Sequence, residues 1–511
     1  MSASPPAAGN RPPGVVLVQI DGLAHEQLQQ ALANGSMPFL NSLISDRDYR
    51  LRPFYSGLPS ATPAVQGELF FGVRSAVPAF RFLSRQKGED CLMFNPMQVK
   101  DVAKDLAERS PGLLRDGSSY SNIFIGGAAN ARYCIENLEP HNLLSRLHPL
   151  TTLGIFLQHC GKILRIIGLA LIEVGLALVD MLKGVVQHQQ LSKEIKFVPS
   201  RIWLCVVLRE LVRFWVKRDI RAGVPIICAN LVGYDEHAHR RGPSSAFAHW
   251  TLAGIDGVIR DIFHKARRAE DRSYRVVVYS DHGQEATLPY QVATGRSLLK
   301  GLEEAFAEGS LAGAEILWAE ELPGQFQFLR RGRKIFGAQR EGTSREDRAA
   351  KRILVTAQGP LGHVYLPEAT DFAELAFYAE RLVRAADIPL VFYRQANDEL
   401  HAVNRAGVWS IPADAGQVLG PDHPCPGEAG EDLVRVARHA DAGDLIISGW
   451  RIGGQPWTFP FENGAHGGPG SRECQGFLLL PEDLPPSSGS LWRPSRLRQV
   501  VREFLGRDGG P

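Results

Sequence analysis

Four polar side chains crowd five positions of "VGYDEHAHRRGP" (residues 232–243): Asp235, Glu236, His237 and His239, directly behind the apolar run "PIICANL". Asp235 and His239, four residues apart, can turn toward one cation if the strand ends at Tyr234 and a turn follows. Carboxylate oxygen with imidazole nitrogen suits zinc, manganese or a related divalent ion. The same residues in a surface loop would simply be solvated. Three further segments add weight to the metal. "YSDHGQE" sets Asp281 and His282 side by side at the end of another apolar run, before a glycine that lets the chain turn sharply. "FENGAHGGPG" sets His466 among glycines, in a loop able to bring an imidazole close to a cation. "SGLPSATPAVQGELFFG" sets Thr62 after a Pro-rich turn at the start of a helix, where free backbone N–H groups favour a phosphate oxygen. There Ser60 or Thr62 is equally well placed as a helix N-cap. A threonine hydroxyl is a poor nucleophile at neutral pH, and coordination to a divalent cation lowers its pKa and aims it.

The elements that must position these groups follow from three runs: "GVVLVQI" (14–20), "PIICANLVGY" (225–234) and "YRVVVYS" (274–280). Each is apolar on both faces, as buried strands of a parallel sheet are. Helical patterns such as "AHEQLQQALANG" and "SSAFAHWTLAGIDGVIRDIFHKARRAE" lie between them, the second opening on Ser capping residues after Pro243. Strand alternating with helix predicts a doubly wound, mostly parallel α/β sheet flanked by helices. Ligands of such sheets gather beyond the carboxyl ends of the strands, which makes Asp21, Asp235 and Asp281 candidates for one site.

The 511 residues allow one large domain with additions, and we expect a tail at 1–13, core segments at 14–149, 221–284 and 441–511, a helical insertion at 150–220 and a cap at 285–440. Lys plus Arg number 57 against 55 Asp plus Glu, so no global field draws the chain to nucleic acid. Seven scattered cysteines without CxxC spacing argue against a disulfide framework or thiolate metal site and for a reducing compartment. The opening "MSASPPAAGNRPPG" has no apolar signal core, so a cytoplasmic location is expected.

Within 150–220, "LGIFLQHCGKILRIIGLALIEVGLALVDMLKGVV" spaces Arg165, Glu173 and Asp180 along one helix face and has no uncharged run long enough to span a bilayer. "RIWLCVVLRELVRFWVKRDIR" follows, with Arg209, Arg213, Lys217 and Arg218 at helical spacing beside Trp203 and Trp215. Two readings stand: helices packed on their own domain, or a peripheral contact in which the basic residues face anionic headgroups.

In their order, "IDG" with Asp21, "PSATP" with Thr62, "YDEHAHRRGP" with Asp235 and His239, "SDHG" with Asp281 and His282, and "GAHGG" with His466 resemble the alkaline phosphatase superfamily, nearest its type I phosphodiesterase/nucleotide pyrophosphatase branch. The motifs span residues 15–470. The resemblance implies an alkaline phosphatase-like fold and two divalent ions, commonly zinc, with manganese the alternative. One ion would be held by Asp21, Thr62, Asp281 and His282, the other by Asp235, His239 and His466. It implies a hydrolase that cleaves phosphodiester or pyrophosphate bonds of a small or lipid-like molecule through a phosphothreonine on Thr62.

The chain also departs from the family pattern. Ala238 stands where a glycine is usual, the nucleophile opens "TPAVQ" in place of TFPN, and "PAFRFLSRQ" lacks the family's further Asn, leaving Gln66 as its stand-in toward substrate. "SATPAV" lacks the Cys and Arg of a sulfatase. A phosphomonoesterase, a phosphotransferase using the same Thr62, and a membrane-associated binding protein with a silent site are the alternatives.

Overall fold

The computed structural model describes residues 11–138, 168, 202–318, 352–367, 370–484 and 491–507. The apolar stretch from Leu153 to Val186 lies outside the described residues except for Gly168.

The three apolar runs form the centre of a seven-stranded sheet in the order Tyr49–Tyr55, Gln475–Pro481, Tyr274–Tyr279, Gly14–Ile20, Ile226–Leu231, Ser118–Tyr120, Asn130–Arg132. The sheet is mostly parallel; Gln475–Pro481 runs antiparallel to both of its neighbours. Register sets the strand ends level: Gln19 lies opposite Asn230 on one side and Tyr279 on the other, so the residues that follow all emerge at one edge.

Both faces are covered because both carry apolar side chains. Val16, Val18 and Ile20 pack under helices Arg209–Ala222 and Ala246–Arg267, while Val15 and Leu17 pack under helices Thr62–Phe71, Pro96–Arg109 and Pro494–Phe504. Each such residue, fully buried, contributes about 1.5–3 kcal/mol. Ser245 caps the long helix by accepting from the N–H of Ala248 at 3.2 Å.

A second seven-stranded sheet is largely antiparallel, in the order Glu315–Trp318, Arg352–Gln358, Leu361–Tyr365, Leu445–Ser448, Leu390–Arg394, Leu400–Asn404, Gly407–Ile411. It draws in Leu445–Ser448, beyond the cap boundary expected at residue 440, because this apolar strand pairs between two cap strands. Near the first described residues, the Arg272 guanidinium donates to the carbonyls of Pro12 and Pro13 and ties that stretch down.

Helix Arg209–Ala222 favours the first of the two readings, helices packed on their own domain. Arg209 and Arg213 are buried. The Arg209 guanidinium lies over the Cβ-less Gly254, and Arg213 pairs with Glu210 at 3.3 Å and Asp261 at 3.4 Å. Lys217 reaches Asp261 at 3.9 Å, which leaves Arg218 as the exposed member of the four. Trp215 packs against its own domain. Its indole N–H donates to the Tyr133 hydroxyl at 3.2 Å, and Arg132 and Arg218 lie over its ring. The apolar side of the helix, Val212, Val216 and Ile220, is spent on the core. Among the described residues no helix is long and apolar enough to cross a membrane.

Candidate active site

Asp21 follows the strand Gly14–Ile20 directly, and Gly22 turns the chain with φ +71°. A Cβ at Gly22 would run into Asp235 Oδ1, so this glycine allows two site segments to touch. Asp235 and His239 do not lie on a turn after Tyr234, as the spacing suggests. The strand stops at Leu231 and Gly233–Arg241 is a helix. Residues i and i+4 of a helix share a face, so His239 Nε2 sits 3.3 Å from Asp235 Oδ2. Glu236 and His237 are not among the groups that meet there, and Ala238 is buried with its carbonyl close under Gly464.

Thr62 opens helix Thr62–Phe71. The N-cap is Ala61, with no side chain capping the helix, so neither Ser60 nor Thr62 fills that role. The Thr62 hydroxyl lies 3.3 Å from Asp21 Oδ1 and 3.2 Å from His282 Nε2. His282 Nε2 lies 3.5 Å from Asp21 Oδ1 and 3.4 Å from Asp281 Oδ2. His466 Nε2 lies 3.7 Å from Asp235 Oδ1, and its ring stacks on that of His282. Asp21, Thr62, Asp235, His239, Asp281, His282 and His466 therefore meet in one place. His282 belongs to two groupings whose ligand atoms lie within 4.8 Å of one another, one with Asp21 and Asp281 and one with Asp235 and His466.

Each imidazole has its tautomer set by a carbonyl, which can only accept. Nδ1–H of His239 donates to Gly464 O at 3.0 Å, that of His282 to Gly283 O at 2.9 Å, and that of His466 to Ser60 O at 2.9 Å. All three Nε2 atoms are thereby left to face the carboxylates. Asn230 donates to Asp21 Oδ2 at 2.7 Å and Gln284 donates to Asp235 Oδ1. Glu462 lies 3.5 Å from His239 Nδ1.

Burial, then the charges of Asp281 and Asp235, raises Asp21 well above the usual carboxylate range. Burial pushes Asp281 up to about 7. Burial acts the same way on Asp235, but His239 and His466 outweigh it and hold that carboxyl below its ordinary value. Burial alone would lower His239, yet Asp235 and Glu462 raise it; His282 and His466 are lowered, chiefly by burial. The site is open on one side. Asp281 and His282 are fully buried, whereas Asp235, His239 and His466 keep partial exposure.

The donor set fits a divalent cation. A neutral His282 points the Nε2 lone pair at two carboxylates, and Asp281 Oδ2 is buried without a hydrogen-bond donor. Lone pairs converging in low dielectric repel unless a cation sits between them.

Gln66 does not face this site. Its amide is fully buried, accepting from Ile123 N at 2.9 Å and Phe124 N at 3.3 Å and donating to Asn122 at 3.0 Å. It sits one helical turn beyond Thr62, on the side that holds the 122–124 loop. Asn230, Gln284 and Glu462 go unnoticed in the sequence; a polar Asn inside the apolar strand "IICANL" is the one signal available. A cleft of about 440 Å³ lined by Arg241, Ser244, Thr287, Gln455 and Asn463, among others, lies at the end of helix Gly233–Arg241, and none of the seven converging residues lines it.

No protein-family model matches the chain, and no curated protein matches it in sequence. Solved structures do. Human ectonucleotide pyrophosphatase/phosphodiesterase 5 aligns over 98% of this chain and 96% of its own, at 11% identity and TM-score 0.51. Its murine counterpart covers the same shares at 10% identity and TM-score 0.49. Phosphonoacetate hydrolase from Sinorhizobium meliloti 1021, in complex with phosphonoformate, covers 99% of this chain and 100% of its own at 13% identity and TM-score 0.46. The likeness to the human protein, at TM-score 0.51 over nearly the whole of both chains, is one of fold: this chain has the alkaline phosphatase-like α/β fold of that structure.

Proposed function

We propose that this protein is a metal-dependent hydrolase of a small-molecule phosphodiester or pyrophosphate, acting through a covalent phosphothreonine on Thr62. One observation carries the reading: three histidine Nε2 atoms, each with its Nδ1–H held by a carbonyl, and three aspartates gather beside the Thr62 hydroxyl. Asp21, Thr62, Asp281 and His282 would hold one divalent ion and Asp235, His239 and His466 a second, with zinc suited to this mixture of nitrogen and oxygen. Such ions lower the pKa of a bound hydroxyl and neutralise charge on the phosphoryl oxygens.

Thr62 Oγ1 bonds to phosphorus in line with the leaving oxygen, whose P–O bond breaks, and the Thr62 proton passes toward Asp21 Oδ1 and on to the departing oxygen, which leaves as the alcohol. Water then attacks the phosphothreonine from the opposite side, the Oγ1–P bond breaks and Thr62 regains its proton. The free N–H groups at the start of helix Thr62–Phe71 favour the anionic phosphoryl group between the two steps. Asn230 and Gln284 keep Asp21 and Asp235 aimed throughout.

Preference for a diester over a monoester rests on charge. Among the described residues, the ion-pair partners seen for Asp21, Asp235 and Asp281 are histidines and not Lys or Arg, which favours the lower charge of a diester. The cysteines described are all free, which supports a reducing, cytoplasmic setting. Zinc-loaded protein screened against chromogenic phosphodiester, phosphomonoester and phosphonate substrates tests the reading. Diester cleavage lost on chelation is expected; no turnover of any of the three would refute it.

A further inference from the structure

We propose that Glu473 is a positioning residue for the face of the site that carries His466, acting through Ser60 and the glycine-rich loop; this rests on the function proposed above. Glu473 is 1% exposed, and its carboxylate is met by backbone N–H groups. Oε2 accepts from Gly468 N at 2.8 Å and Oε1 from Gly470 N at 2.7 Å. The Ser60 hydroxyl lies 3.2 Å from Oε2 and donates to Gly468 O at 2.8 Å, while it accepts from Gly467 N at 3.0 Å.

Those contacts close a ring around one imidazole. Ser60 O is the acceptor that fixes the His466 tautomer, Gly467 follows His466, and Ser60 stands two residues before Thr62. One carboxylate thus pins the segment bearing the nucleophile to the loop bearing a metal-facing histidine. The composition of "GAHGGPGSRE" has the same cause. A Cβ at Gly470 would sit 2.5 Å from Glu473 Oε1 and 3.1 Å from Glu285 Oε1, so only glycine lets the backbone N–H approach. Gly359, with φ +65°, closes the other side, where a Cβ would run into the His466 carbonyl. Groups that orient a metal-binding histidine tune affinity by about 10-fold to 100-fold.

Glu473→Gln is the direct test, because either orientation of the amide turns a donor onto a backbone N–H that needs an acceptor. Zinc affinity is measured by chelator competition, and the visible spectrum of cobalt-substituted protein reports the geometry of the histidine site. The expected result is one zinc ion bound about 10-fold to 100-fold more weakly, with a changed cobalt spectrum. Asp432→Asn, which alters a buried carboxylate held by Arg493 and Tyr55, serves as the structural control: it should lower Tm and leave zinc affinity as in wild type. Zinc binding unchanged in Glu473→Gln, or weakened equally in Asp432→Asn, would overturn the proposal. Should Glu473→Gln fail to fold, Ser60→Ala decides: several-fold weaker zinc binding supports the role and wild-type binding refutes it. A wild-type protein that binds no divalent ion would remove the proposed function itself, a result distinct from either.

Discussion

His282 and His466 stack their imidazoles 3.8 Å apart at 20° between planes, though one follows a strand of the central sheet and the other sits in a loop near the end of the chain. Two charged rings cannot share such a stack in a buried site. Burial lowers both, each Nδ1–H is spent on a carbonyl, and both Nε2 lone pairs remain available. The stack is thus an arrangement of two neutral imidazoles.

Proton release on zinc binding should follow Asp281. Its folded pKa, about 7 against an ordinary 3.8, is raised, so its contribution to the stability of the metal-free protein is full below about 3.8 and lost as pH rises through 7. At pH 6 the native carboxyl still carries a proton that zinc must displace; at pH 8 it does not. Calorimetry in buffers of different ionisation enthalpy should find fewer protons released at pH 8 than at pH 6, and zinc affinity rising between them. Release that grows with pH would contradict this.

Gly22→Ala should damage the site without touching a ligand. The new methyl enters the space of Asp235 Oδ1, and a left-handed φ of +71° adds backbone strain of about 1 kcal/mol. Zinc affinity and turnover are expected to fall by about 10-fold or more. Wild-type affinity in a folded Gly22→Ala protein would show that Asp235 is not held where the structure puts it.

Arg213→Gln tests helix Arg209–Ala222 as a packed element. Removing the guanidinium leaves Glu210 and Asp261 without that cation, and a loss of about 2 kcal/mol is expected in thermal or denaturant unfolding. An unchanged melting curve, with binding to anionic vesicles abolished, would restore the outward-facing reading.

Much of this was legible because buried strands advertise themselves. Each of the three central runs is apolar on both faces and ends on an acidic residue, which is enough to place Asp21, Asp235 and Asp281 at one edge. The end of the second run was not legible: "LVGYDEH" continues the apolar pattern to Tyr234, but the chain has already turned into a helix at Gly233, where Tyr234 is buried against the core. Gln66 was misread because its partners, Asn122, Ile123 and Phe124, lie in a distant loop that no local pattern announces. Arg209 and Arg213 look like a solvated basic face until helix Ala246–Arg267 packs on them, setting Gly254 against Arg209 and Asp261 beside Arg213. The second sheet mixes half-exposed strands with turns, so its pairing depends on contacts far apart in the chain.

Thr62→Ala removes the proposed nucleophile and only one metal-facing group. Turnover should fall by about 10³-fold or more while zinc remains bound. Near-normal diesterase activity in this variant would mean that water attacks phosphorus directly.

The stereochemistry at phosphorus tests the two-step mechanism most directly. A phosphorothioate diester of single configuration, hydrolysed by the zinc-loaded protein in ¹⁸O-labelled water, gives a product whose configuration is readable by ³¹P NMR. Every in-line displacement inverts phosphorus. Attack by Thr62 followed by attack of water therefore predicts net retention, and net inversion would contradict the phosphothreonine intermediate.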